Sequence, residues 1–177
     1  MKTEIYWALF VRVIFFRNEA SVLLIIYLLI SLAVIAIDQG VKYWIVANFG
    51  IGEVQKVVNG LLSLTYIKNS GAAWSILEGK IVFFALVTII AVVVVSYFLV
   101  RYYKSSVLLA LGLALVLGGA VGNFIDRIRW GYVVDMIQLD FINFPIFNIA
   151  DSALTIGVVL IFSYSLLEER LKGKKND

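Results

Sequence analysis

Four apolar runs dominate the chain, each close to the roughly 20 helical residues needed to cross a bilayer. They occupy residues 20–37, 81–100, 105–125 and 148–167, and Asp151 is the only charged residue inside those limits. Each run predicts a transmembrane helix. A further apolar piece, 5–16, is broken by Arg12 and too short to span, which predicts a helix lying in the membrane interface. Between the first two spans, EVQKVV and LLSLTYI flank Asn59-Gly60, a dipeptide suited to a type I′ turn, so a β-hairpin is expected there. The segment 126–147 reads as a shorter loop, and Pro145, the only proline, is a helix-start signal just ahead of the fourth span. The expected fold is one all-α polytopic membrane domain over 1–177, with four transmembrane helices and a small extracytoplasmic β-hairpin or sheet.

Composition agrees with the pattern. Of the 177 residues 62% are hydrophobic and 15% charged, against roughly half and a quarter in a soluble domain. The mean hydropathy is +0.98. Cysteine and histidine are both absent, which removes disulfides, Ser-His and Cys-His pairs, thiolate nucleophiles and zinc motifs of the HExxH kind. Any hydrolytic chemistry falls to Asp, Glu, Lys, Ser, Thr or Tyr. The N-terminus lacks a short apolar core followed by a small-residue cleavage site, so no removable signal peptide is expected.

The net charge of +3 is not spread like a nucleic-acid surface; the cations cluster at the ends of the apolar runs. With the N-terminus inside, the cytoplasmic side holds nine of them: Lys2, Arg12, Arg17, Arg101, Lys104, Arg170, Lys172, Lys174 and Lys175. The other side holds six: Lys42, Lys56, Lys68, Lys80, Arg127 and Arg129. This bias predicts both termini inside, with segments 38–80 and 126–147 outside.

Polar residues gather at the outer ends of three spans. Asp38 and Lys42 stand i,i+4 on one helix face, Asn123, Asp126 and Arg127 follow the same spacing, and Asn148, Asp151, Ser152 and Thr155 form a third stripe. Charge beside a bilayer span usually faces a bundle interior or water, so three stripes at one depth point to a shared pocket. Each also has a plainer reading. Asp38 and Lys42 make an interfacial salt bridge, Arg127 snorkels to headgroups, and Asn148 with Asp151 caps the fourth helix. Asp135 sits in the outer loop between Val133-Val134 and Met136-Ile137, an apolar setting unusual for a solvated aspartate. Gly118 and Gly122 have the GxxxG spacing that lets helices approach closely.

Five blocks together resemble lipoprotein signal peptidase, also called signal peptidase II. They are DQGVK at Asp38–Lys42, KNSGAAW at Lys68–Trp74, GGAVGNFIDR at Gly118–Arg127, GYVVDMI at Gly131–Ile137 and FNIADSALTIG at Phe147–Gly157. Residues 1–19 lie outside the resemblance. It implies a bacterial inner-membrane aspartic endopeptidase that cuts diacylglyceryl-modified prolipoproteins before the lipid-bearing cysteine, at the outer face and without metal or cofactor. It places the catalytic aspartates at Asp135 and Asp151, and supporting residues at Asp38, Lys42, Asn69, Asn123, Asp126, Arg127 and Asn148. The implied partners are the prolipoprotein, membrane lipids and the cyclic peptide antibiotic globomycin; the hairpin is a candidate for holding the extended peptide by strand addition. Without the resemblance, a small transporter or ion-coupled channel subunit, or a structural or assembly subunit, remains open.

Overall fold

The computed structural model describes residues 2–71 and 79–173, with the first stretch of helix up to Ser21 described as backbone only. In chain order the elements are α1 (Lys2–Asn48), β1 (Val54–Val58), β2 (Leu62–Asn69), α2 (Ile81–Tyr102), α3 (Val107–Trp130), β3 (Val133–Leu139) and α4 (Ile149–Gly173). Among the described residues, four segments are long and apolar enough to cross a membrane: Val22–Asn48, Val82–Tyr102, Val107–Trp130 and Ile149–Lys172. The protein is a multi-pass membrane protein with a small antiparallel sheet.

α3 is the hub. It packs against α1, α2 and α4, and half of its span is buried, against 6% for α2. Small residues allow this. A Cβ on Gly118 would meet the Ser31 carbonyl and Val34 of α1, while one on Gly112 would meet the Gly157 carbonyl of α4. Tyr27, Leu99, Ala110, Leu113, Ala114 and Leu117 form the core between α1, α2 and α3. Ser31 is buried within it and donates to the carbonyls of Tyr27 and Ala114, so its hydroxyl is satisfied at membrane depth. The outward faces of α2 and α4, including Phe83, Ile90, Val93, Val158 and Phe162, stay exposed, as lipid-facing surfaces do.

α1 is longer than the span read from the sequence. It continues from residue 37 to Asn48 because its last turns have their own core: Ile45 and, just beyond, Phe49 pack with Tyr66, Val134 and Met136 of the sheet. The apolar piece 5–16 belongs to the same continuous helix and is not a separate element. The hairpin turns at Asn59-Gly60, where Gly60 takes φ 73 and the Leu61 N–H donates to the Val58 carbonyl.

The largest departure is β3. The segment read as a loop carries a third strand that pairs with β2, giving the order β1-β2-β3. Gly131, with φ 75, ends α3 and turns the chain straight into it. Asp135 therefore lies on a strand, opposite Ile67. Helix α4 starts at Ile149, four residues after Pro145, with Asn148 as its cap.

Candidate active site

Asp135 and Asp151 come from different elements and line one cavity of about 760 Å³. Asn69, Asn123 and Arg127 line it too, next to the two carboxylates. Its remaining wall is mostly apolar, with Val87 and Ala91 of α2, Ala120 of α3, and Leu154 and Ile156 of α4, and with hydroxyls from Thr88, Ser152 and Thr155. The cavity thus has a polar end at the sheet and an apolar flank between helices.

Each carboxylate oxygen of the two aspartates has a partner. The Asn69 amide donates to Asp135 Oδ2 at 2.8 Å and the Asn148 amide to Asp135 Oδ1 at 2.7 Å. The Asn123 amide donates to Asp151 Oδ1 at 2.7 Å, and the backbone N–H of Asn148 points to Asp151 Oδ2 at 3.3 Å. Asn148 touches both aspartates and is fully buried. Burial pushes the Asp135 carboxyl up to about 6. The Asn69 amide opposes this shift, the Asp151 charge reinforces it, and the Asn148 amide and Lys42 ammonium again oppose it.

Ser152 and Thr155 of the third stripe also line the cavity, whereas four other polar residues of the stripes lie behind it. Asp38, Lys42, Asp126 and Asn148 are all buried and absent from the lining. Lys42 Nζ is 2.8 Å from Asp38 Oδ2, 2.9 Å from Asp126 Oδ2 and 3.0 Å from Asn123 Oδ1. The interfacial salt bridge between Asp38 and Lys42 is real but buried, and it is shared with a second helix. Arg127 does not snorkel away: it lines the cavity, donates to the Gly71 carbonyl at 3.3 Å and sits 5.0 Å over the Phe84 ring. Trp74, in the KNSGAAW block, and the cations Lys174 and Lys175 lie outside the described residues.

One participant escaped the sequence reading. The Gln39 amide donates to Asp126 Oδ1 at 2.8 Å and lies 3.3 Å from Asp38 Oδ2 and 3.1 Å from the Gly122 carbonyl. Its signal was only adjacency to Asp38 in DQGVK, which any interfacial glutamine shares. Strand addition beside Asp135 is also at odds with the geometry. The Val134 N–H goes to Asp126 Oδ2, and the N–H groups of Met136 and Ile137 go to the Phe147 carbonyl. The sheet's other edge is β1, and none of its residues lines the cavity.

Residues 30–167 match the family model described as Signal peptidase (SPase) II. The chain belongs to the signal peptidase II family. A lipoprotein signal peptidase of Enterococcus faecalis is 53% identical over 148 residues, covering 84% of this chain and 92% of the relative. The lipoprotein signal peptidase of Lactobacillus gasseri is 54% identical over 140 residues, covering 79% and 91%. The fold is similar to a bacterial membrane enzyme solved by the in meso method, with TM-score 0.77 and 42% identity, covering 81% of this chain and 88% of that one. Signal peptidase II is an aspartic peptidase family, so this chain is an enzyme, and the transporter and assembly-subunit readings fall away.

Proposed function

We propose that Asp135 and Asp151 are the catalytic pair with which this signal peptidase II removes signal peptides from prolipoproteins, cutting before a cysteine that already carries a diacylglyceryl group. One observation carries the assignment: Asn148 hydrogen-bonds both carboxylates at the polar end of a single cavity. Two carboxylates at one site do not both ionise comfortably, so one keeps a proton while the other stays charged. The charged carboxylate takes a proton from water as the water oxygen attacks the scissile carbonyl. The neutral one donates a hydrogen bond to the developing oxyanion, and a proton then reaches the leaving amine as the C–N bond breaks. The pair titrates as a unit, so acid and base belong to the pair.

The surroundings fit such a substrate. Arg127 is positioned in the cavity wall to hold a substrate carbonyl, and Asn69 and Asn123 orient the carboxylates. The apolar flank of Val87, Ala91, Ala120 and Leu154 suits the apolar residues of a signal peptide. A cyclic peptide of the globomycin type would compete for the same space. Cation bias supports both termini in the cytoplasm and the site at the outer face of the bacterial inner membrane.

The deciding experiment is cleavage of a lipid-modified prolipoprotein by Asp135→Asn and Asp151→Asn. Each variant is expected to accumulate in the membrane and to cleave nothing. Full processing by either one removes the pair.

A further inference from the structure

The two carboxylates that hold Lys42 also hold the backbone beside the two cavity aspartates. Asp38 Oδ1 accepts the N–H of Ala150 at 2.9 Å, one residue before Asp151. Asp126 Oδ2 accepts the N–H of Val134 at 3.1 Å, one residue before Asp135. Lys42 Nζ lies between them, 2.8 Å from Asp38 and 2.9 Å from Asp126. Its third contact is Asn123 Oδ1, on the residue whose amide donates to Asp151. The Gln39 amide makes a second, uncharged bridge between the same two carboxylates.

The Lys42 side chain is 3% exposed and those of Asp38 and Asp126 are 0% and 2% exposed, so water does not compete for these contacts. Buried ion pairs of this kind add little net stability over an apolar replacement; their best-attested return is a specified arrangement. Here the arrangement is informative. α1 supplies neither cavity aspartate, yet its lysine is tied to both β3, through Asp126, and α4, through Asp38.

We propose that Lys42 is a positioning residue that sets the separation of Asp135 and Asp151 by holding Asp38 and Asp126 to one shared cation. This rests on the reading of Asp135 and Asp151 as the catalytic pair. A pair that shares one proton and flanks one carbonyl is sensitive to its spacing, whereas the binding of substrate in the apolar flank is not.

The test is steady-state cleavage of a lipid-modified prolipopeptide by the full chain in lipid, with three variants: Lys42→Met, Asp126→Asn, and the two combined. The combined variant keeps the net charge of the buried cluster, so it guards against a fold lost to uncompensated charge. Each single change is expected to lower kcat by about 100-fold with KM within about threefold, as misplacement of a reacting group by about 1 Å does. The combined variant is expected to be no worse than the weaker single one, because both cut the same link. The proposal is overturned if kcat stays within about threefold of wild type, if the loss lies in KM alone, or if the two losses multiply. Failure of all three variants to accumulate as folded protein also overturns it, since the cluster is then scaffold. None of these outcomes bears on the catalytic pair, which stands or falls with Asp135→Asn and Asp151→Asn.

Discussion

Asn148 and Asp151 cap one another at the start of α4. The Asn148 side-chain oxygen accepts the Asp151 N–H at 2.9 Å, and Asp151 Oδ2 faces the Asn148 N–H at 3.3 Å, the reciprocal pattern of a capping box. Capping occupies one oxygen of Asp151; the other, held by Asn123, remains at the cavity wall. Helix cap and site residue are therefore the same carboxylate doing two things, not competing readings.

This separates two roles of Asn148 that substitution can split. Asn148→Ser keeps an oxygen for the helix cap but removes the amide that reaches Asp135. The lost amide takes a buried donor from both Asp135 Oδ1 and Asn123 Oδ1, so stability is expected to fall by about 1–3 kcal/mol, while the rate of prolipoprotein cleavage drops at least about tenfold, as loss of an orienting contact does. Asn148→Ala is expected to show the same catalytic loss and, in addition, about 1 kcal/mol less stability from the missing cap. Parallel cleavage rates and thermal melts of the two variants check this; equal activity of Asn148→Ser and wild type contradicts it.

The proton on Asp135 gives a pH signature. Burial raises this carboxyl from 3.8 to about 6 in the folded protein, while the unfolded chain releases the proton near the ordinary value. Between those values the folded state binds more protons, so unfolding free energy falls as pH rises through the window. The penalty is absent below about 4, complete above about 6, and at most about 3 kcal/mol for a shift of two units. Asp135→Asn cannot ionise and lacks it. Melts of both proteins in micelles are expected to show wild type losing ground to the variant as pH rises from about 4 to about 6. A gap that stays constant across that window contradicts the shift.

Gly122 of α3 faces both α1 and α4. A Cβ there would lie 2.7 Å from Asp38 Oδ2 and 3.2 Å from the Ala150 Cβ. Asp38 Oδ2 cannot retreat without leaving Lys42. Gly122→Ala is therefore expected to cost about 1–3 kcal/mol, the usual range for overpacking a tight core, and to reduce cleavage as well. Melts and cleavage rates check both, and a variant as stable and active as wild type contradicts the tight contact.

The sequence made some of this plain and hid the rest for physical reasons. Long apolar runs announce spans because lipid permits little else, and Asn59-Gly60 announces a hairpin because few residues tolerate its turn. β3 was hidden because Val133, Val134, Asp135 and Met136 are all buried, so no alternation of exposed and buried positions marks a strand. The extension of α1 past residue 37 depends on Ile45 and Phe49 meeting a sheet that is distant in sequence. The polar stripes showed which residues converge, but not that Lys42 and Asp126 stand behind the cavity while Asn123 and Arg127 line it. That division is set by helix rotation within the bundle, which residue spacing alone does not determine.

Orientation in the membrane gives a prediction that does not depend on the chemistry. Arg101 and Lys104 lie at the C-terminal end of α2, and Arg170 and Lys172 in the last turns of α4. The polar end of the cavity, the sheet and the exposed aromatics Trp44, Trp130, Phe141 and Phe144 lie at the opposite ends of the helices. Cations flanking spans are retained in the cytoplasm, and aromatic rings favour the membrane interface. A reporter inserted near Gly131 is therefore expected to signal from the non-cytoplasmic side, and one placed after Lys104 from the cytoplasm. The site would then face the leaflet in which a lipid-anchored, already translocated peptide presents its scissile bond. A cytoplasmic signal at Gly131 reverses this orientation, leaving the bundle and its cavity unchanged but placing the carboxylates on the wrong side for a translocated substrate.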